Sequence, residues 1–397
     1  MMLKTDARNA GPILAPGDFA LWSLGFRPFY LVASVFAALS IALWICQYTG
    51  HLPGAYLSAP AWHGHEMLFG FTLAVIAGFL LTAVPNWTGK PTPTGLTLAA
   101  LVALWLAGRV LVLTSFPVAA AIVDTAFPIA LAAAIAGPLI RSRNRRNYFF
   151  LALLLALALA NLAFHLAQLG LFAWPARASL QVGLDVILFV MAVMAGRVIP
   201  MFTNNGIPGV NATRHALVEK LALGGVLLLL VLDLLQAGPT ITALTALALA
   251  AVHAVRLGLW QPWRTLRTPL VWVLHLAYAW IVVHLALRGL AAAGVVGEVF
   301  AVHALTVGAI GGLTIGMMTR TARGHTGRPL VADRFEVACY VLVALAATIR
   351  VFAGMALPDA YLATLVASGA CWSAAFALYA IRYWPILSRR RLDGKPG

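Results

Sequence analysis

Several long apolar segments of this chain contain histidines and carboxylates, the side chains that bind metals and carry protons. The stretch "WHGHEMLFGF" (62–71) places two histidines and Glu66 at the start of one apolar run. Imidazoles ligate haem iron, copper and zinc. Ionisable side chains are costly inside a membrane unless they are paired or functional. The pattern therefore indicates a metal or cofactor site, and its candidate ligands are His63, His65, His165, His284 and His303.

His65 and His303 each precede a similar turn by the same number of residues. His65 lies 23 residues before Thr88, and His303 lies 23 residues before Thr326. On helices that rise about 1.5 Å per residue, this spacing places the two imidazoles at equal depth. We predict that they bind haem iron axially, because a bis-histidine haem requires two facing imidazoles. The alternative is that each histidine only hydrogen-bonds within a helix bundle.

The remaining histidines suggest a second metal. On a helix, His63 points about 200° away from His65, so the two do not face one ligand. His165 follows Asn161 by one helical turn, and His284 lies at a similar depth on the corresponding helix of a later repeat. We predict His63, His165 and His284 as ligands of a second metal, with copper as the candidate, since imidazoles suit copper, iron and zinc.

Charged residues within the apolar segments have two kinds of expected role. Glu66 and Asp185 are candidates for orienting a ligand or for handling protons. Arg109 and Asp124 should lie at similar depth, and an ion pair between them is the favoured interpretation. Alternatively, Arg109 holds a haem propionate, because the guanidinium fork suits a carboxylate.

The composition identifies the elements that position these residues as membrane-spanning helices. Of the 397 residues, 62% are hydrophobic and 10% are charged, and the mean hydropathy is +0.91. About 20 apolar residues cross a bilayer, and a helix satisfies its own backbone hydrogen bonds there. We predict an all-α polytopic membrane protein, a single membrane domain over 1–397. Its twelve transmembrane helices are expected at 27–47, 61–86, 95–113, 117–140, 147–172, 178–201, 215–236, 239–260, 268–289, 297–320, 335–356 and 359–386.

The net charge of +15 reflects membrane topology rather than nucleic-acid binding. With the N-terminus inside, the basic residues flank the cytoplasmic helix ends, among them Lys4, Arg8 and Lys395 near the termini. This distribution follows the positive-inside rule, and both termini are therefore predicted to be cytoplasmic. The partner is the lipid bilayer, not nucleic acid. Only 4 of the 27 basic residues fall on the outer half: Arg109, Arg177, Arg288 and Arg350.

A cytoplasmic turn recurs three times, as "NWTGKP", "FTNNGIP" and "RGHTGRP". Its copies lie 117 and 121 residues apart, which is once per four predicted helices. In each copy, glycine lets the chain leave a helix and proline prevents the helix from resuming. We predict three pseudo-repeated four-helix units, at approximately 20–145, 146–262 and 263–388.

The tenth predicted helix carries a stripe of small residues in "VGAIGGLTIG". Gly308, Gly312 and Gly316 recur every four residues and so share one face. Such a face admits the close approach of a neighbouring helix or of a macrocycle.

Five motifs resemble the NnrS family: "GFRPFYL" (25–31), "WHGHEMLFGF" (62–71), "AGFLLTAVPNWTG" (77–89), "AGRVIPMFTNNG" (195–206) and "RTARGHTGRPL" (320–330). The resemblance implies a polytopic bacterial inner-membrane protein that contains haem and copper. It also implies a role in nitric oxide metabolism and nitrosative stress. It supplies no ligand set residue by residue, so the ligands above rest on the sequence pattern alone.

The organisation is similar, more distantly, to the catalytic subunits of haem–copper oxidases and nitric oxide reductases. In that family a low-spin haem lies between helices 2 and 10. This chain departs from the pattern, because helix 10 has no His-x-His and helix 7 has no His-His pair. The usual binuclear centre is therefore not expected. Copper would need other histidines, of which His165 and His284 are the best placed.

The expected function is that of a haem- and copper-containing membrane protein that handles nitric oxide. If it is catalytic, it reduces nitric oxide near the periplasmic face, with a quinol or a cytochrome as electron donor. One alternative is a twelve-helix transporter of a metal or small solute, against which the parallel threefold pattern argues. Another is a non-catalytic haem-binding sensor.

Overall fold

The computed structural model describes residues 19–52 and 56–394, and this part of the chain is all-α apart from one isolated bridge between Phe19 and Arg389. Lys4, Arg8 and Lys395, which support the predicted topology, lie outside the described residues. Within them the chain forms twelve helices. These are α1 (Phe26–Tyr48), α2 (Ala59–Thr88), α3 (Gly95–Leu111), α4 (Pro117–Arg141), α5 (Phe149–Gln168), α6 (Ala176–Gly206), α7 (Ala216–Leu234), α8 (Pro239–Leu259), α9 (Pro269–Ala292), α10 (Glu298–His325), α11 (Arg334–Ala356) and α12 (Tyr361–Ser388).

Ten of these helices are long and apolar enough to cross a membrane. The other two are α3, which has 17 residues, and α7, which carries Glu219, Lys220 and Asp233. Large apolar side chains project outward from the bundle, including Ile122, Leu159 and Ile381, which are 65%, 66% and 74% exposed. Apolar surface of this kind is stable against lipid rather than water. The prediction of an all-α, multi-pass membrane protein is confirmed.

Helices that are consecutive in the chain pack against one another, and α1 also packs against α12. The first and last helices of the chain thus lie side by side in the bundle. The most buried of the ten spans is α2, which contacts α1, α3, α4 and α6. Because α2 has neighbours on several sides, the side chains of "WHGHEM" at its start can belong to more than one site.

Two helices contain a π-helical segment of seven residues, Glu66–Thr72 in α2 and Ala304–Ile310 in α10. Each segment begins directly after a histidine, His65 or His303. A π-helical turn widens the helix and often occurs at functional sites. The two histidines therefore occupy corresponding places along their helices.

The recurring turn has different local geometry in its three copies. Gly89, directly after α2, and Gly327, two residues after the end of α10, adopt left-handed backbone angles, with φ of 65° and 73°. In the second copy α6 continues to Gly206, Ile207 is extended, and the left-handed residue is Gly209 at φ 72°. The predicted end of this helix at residue 201 is therefore too early, because the helix continues through Asn204 and Asn205.

The glycine stripe of α10 receives a helix and not a macrocycle. A Cβ placed on Gly308 would lie 2.4 Å from the Trp280 ring, and one on Gly312 would lie 2.7 Å from the Ala277 Cβ. Both neighbours belong to α9. The absence of side chains on this face lets the two helices pack closely.

Candidate functional site

An apolar cavity of about 610 Å³ opens at the end of the bundle where α2 begins. It lies between the ends of α1, α2, α6, α10, α11 and α12. Its polar lining includes His63, His303, Arg350 and Tyr361, whereas most of the wall is apolar. Cofactor sites have this character, with a mostly apolar wall, a few placed polar groups and volumes of roughly 300–1,000 Å³.

His63 and His303 approach each other at this cavity from α2 and α10. Their ring centres are 6.2 Å apart and their planes differ by 12°. Two imidazoles bound to one metal from opposite sides, with metal–nitrogen bonds of about 2 Å, have ring centres roughly 6 Å apart. The separation of the two rings therefore suits two ligands of one metal centre.

The surroundings of both rings support this arrangement. The Nδ1 of His303 is 2.6 Å from the backbone carbonyl of Val299, to which an N–H there donates. A histidine held in this way presents an unprotonated Nε2 to a metal. Trp44 stacks on His63 with ring centres 4.2 Å apart and holds that ring in place. The Nδ1 of His63 has no hydrogen-bond partner among the described residues.

Arg350 provides the positive charge of the cavity. It is 5% exposed, its Nη2 donates to the Tyr361 hydroxyl at 2.9 Å, and its Nη1 has no hydrogen-bond partner among the described residues. No ion pair of Arg350 is found within the described part of the chain, whereas Arg177, at the same rim, pairs with Glu298. A buried guanidinium without a carboxylate suits an anionic group of a ligand.

A second polar cluster, which we call the α2–α5 cluster, consists of His65, Glu66, Arg109, Asp124, Asn161 and His165. All six side chains are buried. The Nδ1 of His65 is 2.9 Å from Glu66 Oε1. Its Nε2 is 2.9 Å from Asn161 Oδ1 and 3.1 Å from Asp124 Oδ2. Both ring nitrogens of His65 are therefore engaged within the cluster.

Asp124 Oδ2 is the centre of the cluster. The Asn161 Nδ2 donates to it at 2.8 Å, and the His165 Nε2 lies 3.3 Å from it. The other nitrogen of His165 is 3.1 Å from the Tyr56 hydroxyl. Burial raises the pKa of Tyr56, which lies between α1 and α2, to about 12, so its hydroxyl stays protonated at neutral pH. Helices α2, α4 and α5 thus bring two imidazoles and a carboxylate together.

The structure groups the histidines differently from the predicted pairing of His65 with His303. His303 lies beside His63, and His65 lies beside His165, with ring centres 4.9 Å apart. The reason is the direction in which each side chain projects around the axis of α2. The spacing from the turn specifies depth, but His63 and His65 project from opposite sides of α2. His63 lies on the side of α2 that faces α10.

The predicted second-metal set of His63, His165 and His284 does not converge. His63 lies at the cavity, and His165 lies in the α2–α5 cluster. His284 is packed between α9 and α10, where its Nδ1 is 2.8 Å from the Ala301 carbonyl. These residues therefore do not fit one copper ion.

The expected charged groups are found in ion pairs. Arg109 pairs with Glu66 at 2.6 Å and also with Asp124, so the ion pair favoured from the sequence is formed. Its guanidinium is thus bound to two carboxylates of the protein rather than facing the cavity. Asp185 pairs with Arg288 at 2.8 Å, and Arg288 also pairs with Asp233.

The roles of three residues in these two sites were not predicted from the sequence. Arg350 and Tyr361 line the cavity, and Asp124 joins two histidines as well as Arg109. For Arg350 a signal existed, since it is one of four basic residues on the predicted outer half. For Asp124 no signal in the sequence distinguishes an ion-pair partner from a metal ligand.

The part of the chain that matches a known protein family includes both sites. The model of the NnrS protein family matches residues 20–391, nearly the whole chain. The chain belongs to the NnrS family. The resemblance drawn from five sequence motifs is therefore confirmed, and the NnrS match includes the cavity and the α2–α5 cluster. No curated protein matches the chain. This NnrS chain is thus a multi-pass membrane protein with two separate buried polar sites on the two sides of α2.

Proposed function

We propose that this NnrS protein is a haem protein of the bacterial inner membrane that acts in nitric oxide metabolism. The twelve helices would all span the membrane as three four-helix units, with both termini in the cytoplasm. The distribution of basic residues supports this topology, with 4 of 27 on the outer half. The corresponding π-helical segments of α2 and α10 support a relation between the first and third units.

The pair formed by His63 and His303 is the observation that carries the proposal. These imidazoles, rather than His65 and His303, would hold the haem iron, since His65 faces the α2–α5 cluster on the other side of α2. Arg350 and Tyr361 would bind a haem propionate, the role considered for Arg109 from the sequence. Haem iron with two histidine ligands supplies one-electron transfer.

The protein's own residues would control access to this site. The mostly apolar cavity wall would favour nitric oxide, which is small and apolar and so partitions into lipid. Reduction of nitric oxide near the periplasmic face would take electrons from a quinol or a cytochrome. Glu66 and Asp185 stay candidates for proton handling, although each is held by an arginine, Glu66 by Arg109 and Asp185 by Arg288.

Copper is part of the proposal only as the second metal implied by the family resemblance. The set of His63, His165 and His284 does not fit it, because those residues lie in three different places. The proposed function therefore involves no step at copper.

The test is a visible spectrum of the full-length protein purified in detergent from haem-replete and copper-replete cells. The spectrum is recorded before and after dithionite, with assays of haem, iron and copper. One haem per chain with a six-coordinate spectrum is the expected result. A colourless protein without haem would overturn the proposal and favour the alternative of a transporter.

A further inference from the structure

The α2–α5 cluster has the donor atoms and the spacing of a metal site. Histidine, cysteine, aspartate and glutamate side chains can bind a metal ion. Among the described residues, one group of three of these has ligand atoms that all lie within 4.8 Å of one another: His65, Asp124 and His165. Donors that share a metal at about 2.1 Å lie roughly 3.0–3.4 Å apart. The Oδ2 of Asp124 is 3.1 Å from His65 Nε2 and 3.3 Å from His165 Nε2. These separations match the edges of a coordination polyhedron.

The hydrogen bonds around His65 leave room for either a second proton on its ring or a metal ion. Asn161 donates its Nδ2 to Asp124, so its Oδ1 is the atom that faces His65 Nε2. The other ring nitrogen faces Glu66 Oε1. Both nitrogens thus face acceptors, whereas a neutral imidazole has one N–H. The second nitrogen must carry either a proton or a metal.

The charges of the cluster lead to the same requirement. Glu66 and Asp124 are two carboxylates, and Arg109 supplies a single guanidinium. With neutral histidines the buried cluster carries one net negative charge. An uncompensated buried charge is costly, above all among membrane-spanning helices. A proton on His65 would bring this charge to zero, and a divalent metal ion would bring it to +1, so the two carboxylates attract either one.

The outer partners of the two histidines are those of metal ligands. Histidine ligands usually donate their second N–H to a carboxylate or another acceptor, which orients the ring. Glu66 occupies this position for His65 at 2.9 Å, and the Tyr56 hydroxyl occupies it for His165 at 3.1 Å.

We propose that His65, Asp124 and His165 bind ferrous iron, at a site separate from the haem cavity on the other side of α2. Two imidazoles and one carboxylate with open positions are the donor set of non-haem iron. Cu(I) prefers thiolate and thioether sulfur, and the ligand and hydrogen-bonding groups of the cluster contain none. The proposal depends on these donors alone and does not require haem in the cavity.

The test uses the full-length protein in detergent, depleted of non-haem metal with a chelator and titrated anaerobically with Fe(II) alone. One Fe(II) per chain beyond the haem iron is expected. The His165→Gln variant should bind Fe(II) at least about 100-fold more weakly, and Glu66→Gln about 10–100-fold more weakly. The matched control is His284→Gln, a buried histidine outside the cluster, which should bind as the wild type does.

Two further readouts separate this proposal from the haem proposal and from misfolding. The His303→Ala variant should lose haem and keep the Fe(II) site, and His165→Gln should keep the haem spectrum, which shows that the protein is folded. Co(II) provides a second probe, because its visible bands report imidazole coordination and should be lost in His165→Gln. Asp124→Asn, which keeps the shape of the side chain, should weaken Fe(II) binding as His165→Gln does.

Several outcomes would overturn the assignment. No Fe(II) binding to the wild type would mean that a proton on His65 supplies the missing charge. Unchanged binding in His165→Gln and Asp124→Asn, or loss of binding in His284→Gln, would place the metal elsewhere. Stoichiometric copper or zinc at the cluster in protein isolated from metal-replete cells would overturn the choice of iron. Fe(II) binding by a protein that lacks haem would support this proposal while refuting the haem proposal.

Discussion

The imidazole rings of His63 and His303 lie nearly parallel, at 12°, with centres 6.2 Å apart, although 240 residues separate them in the chain. The two histidines come from α2 and α10, which begin at the same end of the bundle. Their separation supports the proposal that both bind one haem iron. His65, two residues away on α2, belongs to a different polar cluster with different helices.

Replacing His63 and His65 separately should have different effects on the haem spectrum. His63→Ala removes a proposed haem ligand and should abolish the six-coordinate signal, whereas His65→Gln acts on the other side of α2 and should leave it intact. The measurement is the oxidised and reduced visible spectrum at equal protein concentration. His215→Ala, at an exposed position, is the control. A spectrum lost only in His65→Gln would restore the pairing of His65 with His303.

Arg350→Gln should weaken haem retention. A hydrogen bond to a charged group contributes about 1.5–3 kcal/mol, so the affinity should fall at least about tenfold. The rate of haem transfer to an excess of a soluble haem acceptor measures the effect. Arg350→Lys keeps the charge without the fork and should lie between the wild type and Arg350→Gln. Identical transfer rates in all three proteins would remove Arg350 from the site.

Arg288→Gln should destabilise the protein strongly, because it leaves Asp185 and Asp233 without their cation. Breaking a buried ion pair by removing one partner costs about 3–5 kcal/mol. The matched control is Arg177→Gln, whose pair with Glu298 is exposed and should contribute little. Thermal unfolding in detergent measures both variants. Equal melting temperatures for the two variants would contradict the structural role of Arg288.

Gly312→Ala should weaken the packing of α10 against α9. The added Cβ would lie 2.7 Å from the Ala277 Cβ and 3.3 Å from its Cα, so the helices must separate. Overpacking of this kind costs about 1–3 kcal/mol. Gly224→Ala on α7 is the control, because its Cβ meets no neighbour within 4 Å and alanine favours the helix. A melting temperature unchanged in Gly312→Ala would show that this contact is loose.

The amino-acid sequence was informative about what each segment must be. Apolar runs of spanning length predicted the helices, and only the ends moved by several residues, as at α6, which runs on to Gly206. The four basic residues on the predicted outer half also proved to mark polar sites. Arg109 and Arg288 bind buried carboxylates, Arg177 forms the rim pair, and Arg350 lies in the cavity. Whether a segment spans the membrane depends on the hydropathy and charge of its own residues, so the sequence of that segment is enough to predict it.

The grouping of the histidines required the tertiary structure. Spacing along a helix predicts how deep His65 and His303 lie, and their corresponding places beside the two π-helical segments agree with that prediction. Depth does not determine rotation about the helix axis. The packing of α2 between α1, α3, α4 and α6 turns His63 toward α10 and His65 toward α4 and α5. By itself the sequence determined a helical membrane protein of the NnrS family with imidazoles at matched depth. Only the packing of distant helices decided which imidazoles meet, because that depends on contacts between segments up to 240 residues apart.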